Sequence, residues 1–154
     1  MSSELLVMTF PHPSDARTVI KAIRTMRKSP ILSLDSVVVV TKGRKGEIAF
    51  LPRQGSAAVK EDRDKQILLN LADLILCTGS TEVLDAIIAR GMDVQFIREI
   101  ALIMEDESSA LFILNRENSI YDPDTMRSTL ALFKGKIHQT SLFPEVEAYL
   151  STAP

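Results

Sequence analysis

Side chains suited to making or breaking bonds are few in this sequence: two histidines, one cysteine and some close acid pairs. His12 stands between Pro11 and Pro13, His138 lies in a stretch that partly alternates like a strand, and Cys77 ends a helical pattern. A metal site normally gathers three or four convergent ligands. No spacing here supplies them, so neither a metal nor another cofactor is expected. Cys77 follows Ile75-Leu76 at a helix C-terminus, where the dipole does not favour a thiolate, and it reads as a buried structural cysteine. No serine has the setting of a nucleophile elbow. The pairs Asp62/Asp64, Asp122/Asp124 and Glu145/Glu147 lie near predicted helix starts, where capping and the helix dipole account for them. No catalytic residue is assigned, and the reading leans away from an enzyme.

Positive charge is the more concrete candidate. Arg17, Lys21, Arg24, Arg27 and Lys28 fall between the apolar positions of a predicted helix, and Lys42, Arg44 and Lys45 occupy a turn. Together they form a candidate contact face for RNA phosphates. The predicted strands, however, lack the exposed aromatics on which RNA bases stack. Phe10, Phe50 and Phe112 have the spacing of core residues. Nucleic acid is therefore not the favoured partner. Gly43-Arg44-Lys45-Gly46 lacks the Gly-Lys-Ser/Thr ending of a phosphate loop and precedes a strand, so a hairpin turn is the better reading. Charge is unevenly spread. Residues 1–60 hold ten basic against four acidic residues, a surplus of six, and the remainder holds eight against sixteen, a deficit of eight. Two complementary faces, meeting inside the protein or across a subunit contact, explain this better than a nucleic-acid surface.

The elements that must position these residues follow from hydrophobic periodicity. Glu4–Phe10 is an aliphatic run with strand character. Ala16, Val19, Ile20, Ile23 and Met26 recur at helical spacing after Ser14, a good N-cap. Ser36–Thr41 contains four consecutive valines, a central strand. The glycine-bounded turn then leads to Glu47–Pro52, whose proline suits an edge strand. Residues 53–60 read as a loop. About three helices follow: Glu61–Cys77, one carrying Val83, Leu84, Ile87 and Ile88 that stops at Gly91, and one capped by Asp93. Ser109–Asn115 is a strand, Asp122-Pro123-Asp124 opens a helix that Gly135 ends, Lys136–Leu142 is a strand, and Pro144–Leu150 is a short helix.

The strand-helix-strand plan of Leu5–Thr41 recurs over Ala110–Leu142. Two such units in tandem predict an α+β, ferredoxin-like β-α-β-β-α-β sandwich with a helical insert between the halves. One domain spans 1–154: 1–52 is the first half plus a hairpin arm, 53–107 the insert, and 108–154 the second half plus a terminal helix. A two-layer sandwich is expected, with a four-stranded sheet on one side and the crossover helices on the other.

At 154 residues, with ordinary apolar content, the chain has enough material for a real core. The start Met1-Ser2-Ser3-Glu4 has neither the basic residues nor the long apolar run of a secretory leader. No stretch reaches the roughly 20 apolar residues of a membrane span. A cytoplasmic protein without membrane contact is expected.

The chain resembles a bacterial family of unknown function whose members are often labelled predicted membrane proteins. The resemblance lies in Leu5-Leu6-Val7-Met8-Thr9-Phe10 before a helix of alternating Ala, Ile and Arg, and in Leu34-Asp35-Ser36 leading into Val37–Val40. It continues through Phe96-Ile97-Arg98-Glu99-Ile100, Ser108-Ser109-Ala110-Leu111-Phe112-Ile113-Leu114 and Gln139-Thr140-Ser141-Leu142. Order and spacing carry it over about two thirds of the chain. The resemblance implies no chemistry and no site residues. In the family the middle is typically a Gly- and Ala-rich apolar segment. Here Glu61–Arg90 carries Asp62, Arg63, Asp64, Lys65, Asp73, Glu82 and Asp85, which does not suit a span.

Three functions follow from this reading. The insert holds more apolar residues than one side of a four-stranded sheet needs, which suggests a non-enzymatic homo-oligomer. A small-molecule-binding regulatory protein, with its pocket between sheet and insert, is the alternative. RNA binding through the basic helix face is the third.

Overall fold

Aliphatic residues on both phases of the strand period need cover on both faces of a sheet. The structure supplies it. It is a computed structural model and describes residues 3–25, 37–53, 56–60, 62–76, 81–115, 128 and 131–152. The elements, in order, are β1 (Ser3–Phe10), α1 (Asp15–Thr25), β2 (Val37–Lys42), β3 (Ile48–Leu51), α2 (Ala57–Lys60), α3 (Arg63–Leu76), α4 (Thr81–Ala89), α5 (Val94–Ile103), β4 (Ser108–Asn115), β5 (Lys136–Leu142) and α6 (Pro144–Thr152). Cys77 and most of the helix expected from Asp122 lie outside the described residues, and residues 131–134 are turns and bends where that helix was expected to run on to Gly135.

The protein is α+β, and its sheet is antiparallel with the order β3-β2-β4-β1-β5. β4 lies between β1 and β2, and β1 lies between β4 and β5. The sheet has five strands where four were expected, because the hairpin arm joins it: β3 pairs with β2 from Val39↔Leu51 to Lys42↔Ile48. As Pro52 suggested, β3 is an edge.

Two cores follow from strand alternation. Leu6, Met8, Phe10, Val37, Val39, Leu111 and Ile113 face α1, which supplies Ala16, Val19, Ile20 and Ile23. Leu5, Val7, Val38, Val40, Ala110, Phe112, Leu114 and Leu142 face the insert and α6. α3 packs across β2 and β4, α5 against β5, and α6 against α3. The expected two-layer sandwich is thus corrected to three layers. The reason is legible in β2 and β4: Val37–Val40 and every residue of β4 are buried, so neither sheet face is open to water.

The insert also differs in detail. Residues 57–60 form the one-turn helix α2, which tucks Val59 into the core, where a loop was expected. Asp62 Oδ1 accepts the amides of Asp64 and Lys65, and Asp93 Oδ1 accepts those of Gln95 and Phe96, so both acids cap helices. Among the described residues no single helix is long and apolar enough to cross a membrane. α3 and α4 reach that length and composition only as a pair bent by 119°. In α3 the apolar face of Ile67, Leu68, Leu71 and Ile75 is buried against the chain's own sheet. Full burial of each such side chain stabilises the fold by about 1.5–3 kcal/mol before entropy is counted.

Candidate functional site

One end of the sheet is polar on the insert side. Continuing the phase of Val38 and Val40 brings β2 to Lys42. The phase of Leu5 and Val7 brings β1 to Thr9. Ala110 and Phe112 lead back to Ser108, and Leu142 leads back to Lys136. The register sets Lys42 opposite Ser108, and Thr9 opposite both Ala110 and Lys136. Four strands therefore finish a mainly apolar face with two hydroxyls and two ammonium groups.

α5 ends over this row, and the turn from Met104 to Glu107 is fastened to the β2–β3 hairpin. Lys42 Nζ donates to Met104 O at 2.9 Å and lies 4.0 Å from Asp106 Oδ1. The Glu107 amide donates to Gly43 O at 3.2 Å, and Arg44 Nε donates to Glu107 Oε1 at 3.0 Å. Glu107 itself has a positive φ of 61°, which lets the chain reverse into β4. Ser108 Oγ donates to Glu105 O.

Between this turn, the sheet end and residues 134–136 lies a half-open cavity of about 500 Å³. Thr9 and Ser108 supply hydroxyls; Phe10, Pro11 and Ile103 supply apolar wall. Glu105 and Asp106 come from the turn after α5, Lys134 from the bend before β5, and Lys136 from the start of β5. Gly135 also lines it, and a Cβ there would lie 2.7 Å from the Phe10 ring and 2.8 Å from Met8 Cε. That close approach requires the missing side chain.

No family model, curated protein or solved structure matches the chain.

The sequence-predicted basic face is distributed over two layers. Arg17 and Lys21 are exposed on α1, on one side of the sheet. Lys42 points to the other side, tied to Met104 and Asp106, and Arg44 pairs with Glu107. Lys45 is exposed at the hairpin tip, the side chain of Arg24 is not described, and Arg27 and Lys28 lie outside the described residues. The first half's positive charge thus meets the insert's acids inside the molecule at Lys42 and Arg44.

Among the described residues no three His, Cys, Asp or Glu side chains converge as metal ligands do. His12 is exposed and contributes its carbonyl to Ser109. His138 is different. Its side chain is 14% exposed under α5, with Nδ1 4.0 Å from Glu99 Oε2. Nε2 is buried and has no partner among the described residues. Burial holds its pKa below 6.5; Glu99 pulls it up and Lys136 pushes it down.

The cavity residues were not singled out from the sequence. A signal existed: Thr9 and Ser108 are hydroxyls on the inward phase of otherwise apolar strands. Without the register, nothing brings those two positions to one end of one face.

Proposed function

We propose that this protein is a non-catalytic, small-molecule-binding module whose ligand enters the cavity at the polar end of the sheet. The cavity itself carries the reading. It is a concave space of about 500 Å³ at the junction of sheet and insert, with apolar wall and a few polar groups. Small-molecule sites have that size and make-up. Most apolar residues of the insert are buried within the chain, while Leu102 on α5 is 78% exposed, so burial inside the chain accounts for most of the surplus that motivates a homo-oligomer. RNA binding loses support because Lys42 and Arg44 already have partners.

A ferredoxin-like frame is part of the proposal. Support comes from β1 and β2 flanking β4, and from β4 and β5 flanking β1, the interleaving of two split β-α-β units. The added edge strand β3 and the insert layer set the sheet apart from the plain four-stranded plan. Membership of the bacterial family, on the residues quoted above, and a cytoplasmic location belong to the same proposal.

A fragment screen by ¹H–¹⁵N NMR tests the binding reading. Hits should shift the amides of Thr9, Ser108 and Gly135 together, leaving the α1 amides still. A screen whose hits all cluster elsewhere would remove it.

A further inference from the structure

The walls of the cavity carry charges of both signs, and this narrows the ligand. Lys134 and Lys136 are exposed and have no carboxylate partner among the described residues. The Glu105 carboxylate likewise has no partner there, while Asp106 lies at the long distance of 4.0 Å from Lys42. A purely anionic ligand would meet two carboxylates, and a purely cationic one two ammonium groups. Either arrangement places like charges together, which opposes binding. An uncharged apolar ligand would leave the four charges at the rim of the cavity unused.

We infer that the cavity takes a compact zwitterion with an apolar body, of the amino-acid or dipeptide class. Its carboxylate faces Lys134 and Lys136, and its ammonium faces Glu105 and Asp106. Its apolar part lies against Phe10, Pro11 and Ile103, the Thr9 hydroxyl supplies a neutral hydrogen bond to its amide or backbone, and the Ser108 hydroxyl, whose proton is held by Glu105 O, accepts one. This inference rests on the binding reading above and adds the chemistry of the ligand.

The test uses the full chain and the dipeptide Ala-Phe in three forms: free, N-acetylated and C-amidated. Titration calorimetry reads affinity, and the amides of Thr9, Ser108 and Gly135 report the place. The free dipeptide should bind in the cavity, and blocking either terminus should weaken binding about tenfold or more, the loss of one charge-assisted contact. The double variant Lys134→Met/Lys136→Met should erase the difference between free and C-amidated forms while keeping the fold, since both side chains are exposed. Blocked forms that bind as well as the free dipeptide overturn the inference. So does a cavity that takes 3-phenylpropionamide, an uncharged probe, and rejects the dipeptide; the binding reading then survives. If neither the dipeptide nor the uncharged probe moves the cavity amides, both fall together.

Discussion

Two neighbouring serines separate the two faces of the sheet. Ser109 points to the α1 side and is fully buried; its Oγ accepts the Ala16 amide at 3.1 Å and donates to His12 O at 2.7 Å. Ser108 points to the insert side, donates to Glu105 O and lines the cavity. On one face the end of the sheet is sealed by a helix start stitched to β4. On the other face the same end is flanked by the turn 104–107, which Lys42 and Ser108 tie to the ends of β2 and β4 and Gly43 and Arg44 tie to the hairpin, and beside which the cavity stays open. One strand thus provides a closed structural contact and an open polar floor from adjacent residues of the same type. The phase of the strand, not the chemistry of serine, decides the role.

The cover of the insert face depends most on its core. Leu68 is fully buried where α3 meets the sheet, so Leu68→Ala should cost about 2–5 kcal/mol in denaturant unfolding. A loss below about 1 kcal/mol would mean that α3 is not the cover of that face.

The two serines give the next largest effect. Ser109→Ala leaves the Ala16 amide without its acceptor in a buried place, and should cost about 1–3 kcal/mol. Ser108→Ala removes one donor beside an open cavity, and should cost about 1 kcal/mol or less. Equal losses, measured in the same unfolding experiment, would erase the distinction between sealed and open ends.

Much of this frame is legible in the sequence because local rules and burial agree. The valine run of β2, the glycine-bounded hairpin and the Asp93 cap each follow from patterns within ten residues or so, and each is where periodicity places it. The apolar doubling of β2 and β4 already implies two covered faces. The cavity is legible only in hindsight. Thr9, Ser108 and Lys136 are far apart in the chain, and only the pairing of β1 with β4 and β5 brings them together. The Ala16 amide shows the same limit: its acceptor comes from a residue 93 positions away, although Ser14 beside it looks sufficient as a cap. Ion pairing is a third case. The charge imbalance between the halves predicts complementary faces, and Lys42 with Asp106 and Arg44 with Glu107 are where they meet.

Acid should act on one face only. The His138 ring sits on the insert side under α5, held below its ordinary pKa of 6.5 chiefly by burial, with Glu99 and Lys136 as the charged groups acting on it. A depressed histidine pKa means that the folded state binds the proton less readily than the unfolded chain. The stability contributed by the neutral ring is therefore full above pH 6.5 and is progressively lost as the pH falls below it. Melting temperatures taken between about pH 8 and pH 5 should fall through that window in the wild type, and fall less in His138→Phe. Hydrogen exchange should locate the loosening in α5 and β5 while α1 keeps its protection. A wild-type profile no steeper than that of the variant would show that Glu99 offsets burial completely.

The smallest effect belongs to the surface ion pair at the turn beside the cavity. Arg44 and Glu107 join side chains 87% and 53% exposed, a pair in contact with water on most sides. Such a pair contributes about 0–1 kcal/mol and is screened by salt. Arg44→Ala should accordingly change unfolding stability by less than about 1 kcal/mol. The turn keeps two further ties to the hairpin, Glu107 N to Gly43 O and Lys42 Nζ to Met104 O. The second ends in a buried residue and starts from a half-buried ammonium. Lys42→Met removes the charge and this bond together, and should let the turn settle onto the sheet end, lowering dipeptide affinity in the cavity more than Arg44→Ala does. If the two substitutions weaken binding equally, the surface pair and not the lysine fixes the turn, and the opening of this face depends on charge at its rim.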